Sequence, residues 1–102
     1  MLFIELTTFA SLLVLTDEEL RRVQGDIIAN PDCGDLIKGG GGLRKMRVAI
    51  SGRGKRGGAR VIYYLQHVDR CYLVLAYSKT EQDNLTPKQL KALAALVKEE
   101  LS

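Results

Sequence analysis

Two stretches of helical periodicity flank a middle section of alternating and continuous apolar positions. Leu2 to Leu6 reads as a short strand, followed by a brief apolar helix from about Thr8 to Val14. Thr16 and Glu19 form a T-x-x-E capping box, after which Leu20, Val23 and Ile27 recur on one face of a helix. That helix should stop by Asn30, because Pro31 follows. Asp32 to Gly42 reads as a loop ending in four consecutive glycines. Leu43 to Ser51 then alternates, with Met46, Val48 and Ile50 on one side and Lys45, Arg47, Ala49 and Ser51 on the other, which predicts a half-buried strand with a basic outer face.

Gly52 to Gly58 is expected to be a glycine-rich hairpin turn, returning into a second strand over Ala59 to Gln66. Cys71 to Tyr77 is almost continuously apolar and suits a central strand covered on both faces, with His67 to Arg70 as the tight link before it. Thr86, Pro87 and Gln89 supply a cap, a proline at the first helical position and a capping partner. They open a helix with Leu90, Leu93, Val97 and Leu101 along one stripe. The expected architecture is α+β, an antiparallel sheet with helices packed on one face, in a single domain over residues 1–102.

Packing helices on one face leaves the other for Lys45 and Arg47. Arg60 joins them if Ser51 pairs with Arg60, whereas a slip of one residue would send it to the core side. The first register is preferred, since a buried and unpaired arginine is costly.

Charge sharpens this picture. Lys38, Arg44, Lys45, Arg47, Arg53, Lys55, Arg56 and Arg60 fall in one stretch without a carboxylate, and eight of the ten glycines lie there too. The other seven basic residues share the remainder of the chain with all twelve acids, so the net charge of +3 hides a strong local excess. A field of one sign on a small protein favours a polyanionic partner. Met1 to Leu15 contains Glu5, lacks a basic start and runs into a helix cap, so it reads as folded protein rather than a secretion signal. Apolar runs are too short for a membrane span, and the expected location is the cytoplasm. Cys33 and Cys71 belong to no CxxC and have only His67 for company, which reads as two reduced thiols, with no metal or other cofactor.

The segment G-R-G-K-R-G-G does not fit a P-loop, and it lies in a hairpin rather than between strand and helix. No Ser, His and acid constellation stands out. Phosphate contact with nucleic acid is the plainest inference. Tyr63, Tyr64 and Tyr77 would offer stacking surfaces if exposed, although strand tyrosines more often belong to the core.

Read in order, G-G-L-R-K-M-R-V-A, G-R-G-K-R-G-G-A-R-V-I-Y-Y, L-V-L-A-Y-S-K and N-L-T-P-K-Q-L-K resemble a HigB-like toxin of the RelE/ParE superfamily. The similarity extends upstream through L-T-D-E-E-L and N-P-D-C-G-D-L-I-K-G. It implies a RelE-like microbial RNase fold and a toxin held inactive by a cognate helix-turn-helix antitoxin. Once released, such a toxin enters the ribosomal A site and cuts messenger RNA without a metal.

The resemblance assigns Arg60 to the scissile phosphate and Lys79, in a Y-x-K position, to phosphate contact or proton transfer. It places Lys55 in the projecting hairpin as a further catalytic candidate, with Arg53 and Arg56 beside it as contacts to RNA or ribosome. Lys45 and Arg47 would position the substrate. The better-known RelE pattern has a catalytic tyrosine near the carboxyl end, whereas Thr80 to Leu85 contains none here. A ParE-like inhibitor of DNA gyrase and a non-catalytic RNA-binding module are the competing readings. His67 is expected to be exposed and uninvolved.

Overall fold

In a computed structural model, residues 1–6, 14–50, 58–67, 69–82 and 84–101 are described. The helix expected from about Thr8 to Val14 and the turn expected from Gly52 to Gly58 fall almost entirely outside them. The elements are β1 (Leu2–Glu5), α1 (Asp17–Ala29), β2 (Asp35–Leu36), β3 (Leu43–Val48), β4 (Ala59–Gln66), β5 (Arg70–Ser78) and α2 (Pro87–Leu101). The strands form one sheet in the order β1-β5-β4-β3-β2.

Both helices begin where local chemistry dictates. The Thr16 hydroxyl accepts the Glu19 N–H at 3.1 Å while the Glu19 carboxylate accepts the Thr16 N–H at 2.9 Å. This closed pair explains why Glu19 can be buried. At α2 the Gln89 side chain accepts the Thr86 N–H at 2.9 Å and the Thr86 hydroxyl accepts the Gln89 N–H at 3.1 Å.

The fold is α+β as expected, but three particulars differ. The sheet is mixed rather than wholly antiparallel, because β1 runs parallel to β5 with Phe3 opposite Cys71. The loop from Asp32 to Gly42 contains the two-residue strand β2, with Asp35 opposite Lys45 and Leu36 opposite Arg44. Finally, the helices are not on one face. Val23 and Ile27 of α1 pack with Met46, Val48, Ala59, Val61, Tyr63, Cys71 and Leu73, whereas Val97 of α2 packs with Leu43, Ile62, Tyr72, Val74 and Tyr77. Neighbouring strand residues point to opposite faces, so the two helices lie on opposite sides of the sheet. Because β4 and β5 are apolar on both sides, each side needs a cover, and one helix goes to each.

The faces are finished differently. On the α1 side the loop after the helix is fastened to the sheet by Tyr63, whose hydroxyl donates to the Pro31 carbonyl at 2.8 Å and accepts the Gly34 N–H at 2.8 Å. Arg44 donates to the Gly34 carbonyl at 2.7 Å and pairs with Asp32 at 3.2 Å. A Cβ on Gly34 would stand 2.7 Å from the Tyr63 ring, so only glycine lets the loop lie this close. On the α2 side only Val97 of the helix is buried, and Leu90, Leu93, Leu96 and Leu101 keep partial exposure.

β3 pairs with β4 so that Arg47 lies opposite Arg60 and Val48 opposite Ala59. The expected partner of Arg60 was Ser51, four residues further on. A shift of an even number preserves side, so Lys45, Arg47 and Arg60 still share one face. β4 and β5 pair from Gln66 opposite Arg70 to Ala59 opposite Ser78, with a register shift between Ile62 and Tyr63.

Candidate phosphate-binding site

The basic stretch divides once the strands are paired. Arg44 turns to the α1 face and serves the loop contacts just described. Lys45 and Arg47 point to the α2 face, at the end of the sheet away from Leu43 and Tyr64, where the helix packs. Arg53, Lys55 and Arg56 lie outside the described residues.

Directly opposite neighbours form a row of Arg47, Arg60 and Tyr77 across β3, β4 and β5. Adjacent strands stand about 4.8 Å apart, so the row spans about 10 Å, enough to meet one nucleotide's phosphate and sugar. Arg47 is exposed. Arg60 retains only 5% of its exposure, with Nη1 donating to the Ala59 carbonyl at 3.1 Å. The side chain is therefore on the expected face but packed in place, rather than open on the surface. Burial fixes its direction before any ligand arrives, and its planar fork suits an oxyanion.

Lys79 follows β5, and its N–H donates to the Gly58 carbonyl at 3.1 Å, extending the ladder one step beyond Ala59 and Ser78. Alternation puts Lys79 on the same side as Tyr77 and Arg60, at an exposed position. Gly58 has a positive φ of 72°, and a Cβ there would run into the Val48 carbonyl. Glycine is required at this corner, where the hairpin rejoins the sheet beside the charges.

From Lys79 the chain crosses to β3, where the Asn84 side chain accepts a hydrogen bond from Lys45 Nζ at 2.7 Å. Asn84 was not singled out from sequence. Its signal was modest: a polar residue just ahead of the α2 capping box. The tyrosines are core rather than stacking platforms, since Tyr63 and Tyr77 are buried and Tyr64 packs against Tyr72 with ring centroids 6.5 Å apart. His67 is exposed in the β4–β5 turn with φ of 60°, away from the charged end.

An open groove of about 720 Å³ lies along the outer edge of β3, and Lys45 and Arg47 reach its wall. Asp26 and Asp35 also line it and offset much of the charge of Lys38, Lys45 and Arg47, which weakens it as a channel for a phosphate backbone. The end of the α2 face where Lys45, Arg47, Arg60 and Lys79 gather is the better candidate. Among the described residues, no three His, Cys, Asp or Glu side chains gather as metal ligands. No helix among them is long and apolar enough to cross a membrane.

The family model of the RelE toxin of the RelE / RelB toxin-antitoxin system matches residues 6–102. That match takes in every element except β1, and with them Lys45, Arg47, Arg60, Lys79 and the hairpin between β3 and β4. With a sheet, two helices and a clustered positive end all inside the matched span, the chain belongs to the RelE toxin family and is the toxin partner of an antitoxin.

Proposed function

We propose that this toxin, when freed of its antitoxin, is a ribosome-dependent endoribonuclease that cuts translated messages. The observation that carries the reading is the convergence of Lys45, Arg47, Arg60 and Lys79 on one end of one sheet face. In the reaction the 2′-oxygen of one nucleotide attacks the adjacent phosphorus and the bond to the 5′-oxygen breaks. A proton leaves the 2′-hydroxyl and another reaches the departing oxygen, giving a 2′,3′-cyclic phosphate and a 5′-hydroxyl. Negative charge builds on the phosphoryl oxygens, and fixed cations stabilise it.

In this scheme Arg60 holds the phosphate, since its guanidinium keeps its charge and is already oriented. Lys79 meets the same phosphate from solvent, Arg47 and Lys45 guide the incoming strand, and Lys55 with Arg53 and Arg56 reaches for ribosome or RNA. The block G-K-R-G-G-A-R-V-I-Y-Y favours the HigB-like branch of the superfamily, with a helix-turn-helix antitoxin in the same cytoplasmic compartment. Covering the charged end, or adding bulk that bars entry to the A site, would neutralise the toxin.

Purified protein added to translating ribosomes should produce new transcript ends within codons, and Lys79→Ala should slow single-turnover cleavage about 100-fold. A 2′-deoxy substitution at the scissile nucleotide should abolish the cut. Intact messages at doses that stop growth would reject the nuclease reading, and loss of gyrase supercoiling under those conditions would favour the inhibitor.

A further inference from the structure

Ser78 closes β5 with a fully buried side chain, although a hydroxyl gains nothing from apolar packing. Its bonds are all local. Ser78 Oγ lies 2.7 Å from Thr80 Oγ1 and accepts the Thr80 N–H at 3.2 Å. The Ser78 carbonyl accepts the N–H groups of Glu81 at 3.0 Å and Gln82 at 3.4 Å. Three of the next four residues are thus held by this one serine. The fourth is Lys79, whose N–H is already engaged by Gly58.

The far end of the segment is fastened as well. Asn84 accepts from Lys45, and Gln82 donates to the Gln89 side chain at 3.1 Å. Lysine has a long, flexible stem, so an ammonium is useful at a phosphate only if its backbone is held still. Short hydroxyl side chains that bond neighbouring backbone groups impose such a turn. The S-x-T spacing brackets the lysine on both sides.

Resting on the functional reading above, we infer that Ser78, acting through Thr80, is a positioning residue for Lys79. Ser78 does not touch the RNA. It sets the direction in which the chain leaves β5 and thereby aims the Lys79 stem toward Arg60. Removing either hydroxyl releases the turn while leaving the charge in the protein.

The test is single-turnover message cleavage on translating ribosomes by the parent, Ser78→Ala, Thr80→Val, Thr80→Ser, Lys79→Ala and the Ser78→Ala/Lys79→Ala double variant. Ser78→Ala and Thr80→Val should each lower the rate at saturation about tenfold while the half-saturating ribosome concentration stays unchanged. Thr80→Ser should restore the rate to within about twofold, because the hydroxyl is kept. On the Lys79→Ala background Ser78→Ala should add no further loss, since both changes disable the same contact.

Thr80 is exposed, so its variants report even where Ser78→Ala impairs folding. Full rate in Thr80→Val alongside a slow Lys79→Ala overturns the inference and leaves the nuclease reading intact. An equal additional loss on the Lys79→Ala background does the same. A parent protein that leaves messages whole overturns the functional reading and the inference with it.

Discussion

The two faces of this sheet are built from alternate residues of the same strands, yet they have opposite fates. The α1 face is sealed: Val61, Tyr63, Cys71 and Leu73 are fully buried there beneath Val23 and Ile27, and the loop after α1 is tied down through Tyr63 and Arg44. The α2 face receives its helix toward Leu43 and Tyr64, and its other end carries the charges of Lys45, Arg47 and Lys79 beside the buried Arg60. More of the fully buried side chains lie on the sealed face, although Leu43, Ile62 and Val74 are as deeply buried on the other, and each such aliphatic side chain contributes about 1.5–3 kcal/mol. That division lets the other face carry charge that a free-standing small sheet would tolerate poorly.

The hardest test of the comparison is alkaline pH, because two titratable groups are shut into the sealed face. Burial, assisted by nearby Cys33, pushes the Cys71 thiol up to about 12 from 9.0. Burial likewise drives the Tyr63 phenol well above its ordinary range, although its hydrogen bond with Gly34 works in the other direction. Below pH 9 the Cys71 thiol is neutral whether the chain is folded or not, and its contribution to stability is fully present. Above that the unfolded chain ionises while the folded one does not, so stability should fall by about 1.4 kcal/mol per pH unit per group as pH rises toward the folded value. Urea melts at pH 8, 9.5 and 11 would show this. An unchanged midpoint would mean that the α1 face admits water.

Next in size is Gly34→Ala, which forces a methyl group against the Tyr63 ring and should cost about 1–3 kcal/mol. Thermal unfolding would measure the loss. Message cleavage below the new melting point should match the parent, since Gly34 serves the sealed face alone. A cleavage defect there would show that the faces are coupled through β3 and β4.

The smallest effect compares the two helix caps. Thr16→Ala breaks a capping box whose Glu19 is buried and should cost about 1–2 kcal/mol, because the Glu19 N–H loses its acceptor. Thr86→Ala breaks the exposed box of α2 and should cost about 0.5 kcal/mol. Equal losses by calorimetry would indicate that α2 is held as firmly as α1.

Both caps were legible in sequence because they depend on residues three apart. Strand parity was legible for a similar reason: alternation of Met46, Val48 and Ile50 against Lys45 and Arg47 needs no knowledge of partners. Absolute register was not, since it depends on the path between β3 and β4, and a connection of residues 49–58 leaves the ladder four residues from the expected pairing. β2 escaped because two residues carry no period. The stripe of α2 announced an apolar face but not which side of the sheet would receive it. Depth at Arg60 was equally hidden, since burial depends on what folds over a residue and not on its neighbours in sequence.

The register shift in the middle of the β4–β5 ladder has a consequence for how this toxin can change. Tyr63 is opposite Leu73 but Ile62 is opposite Leu75, so Val74 is one residue more than the partner strand needs. Were Val74 paired in an unshifted ladder, Ala76 would lie across from Arg60, and Lys79 would emerge on the reverse side of the sheet. Length changes along β5 are consequently unequal: loss of Val74 would straighten the ladder and leave Lys79 beside Arg60, whereas one further residue between Leu75 and Lys79 would turn the lysine's back on its arginine.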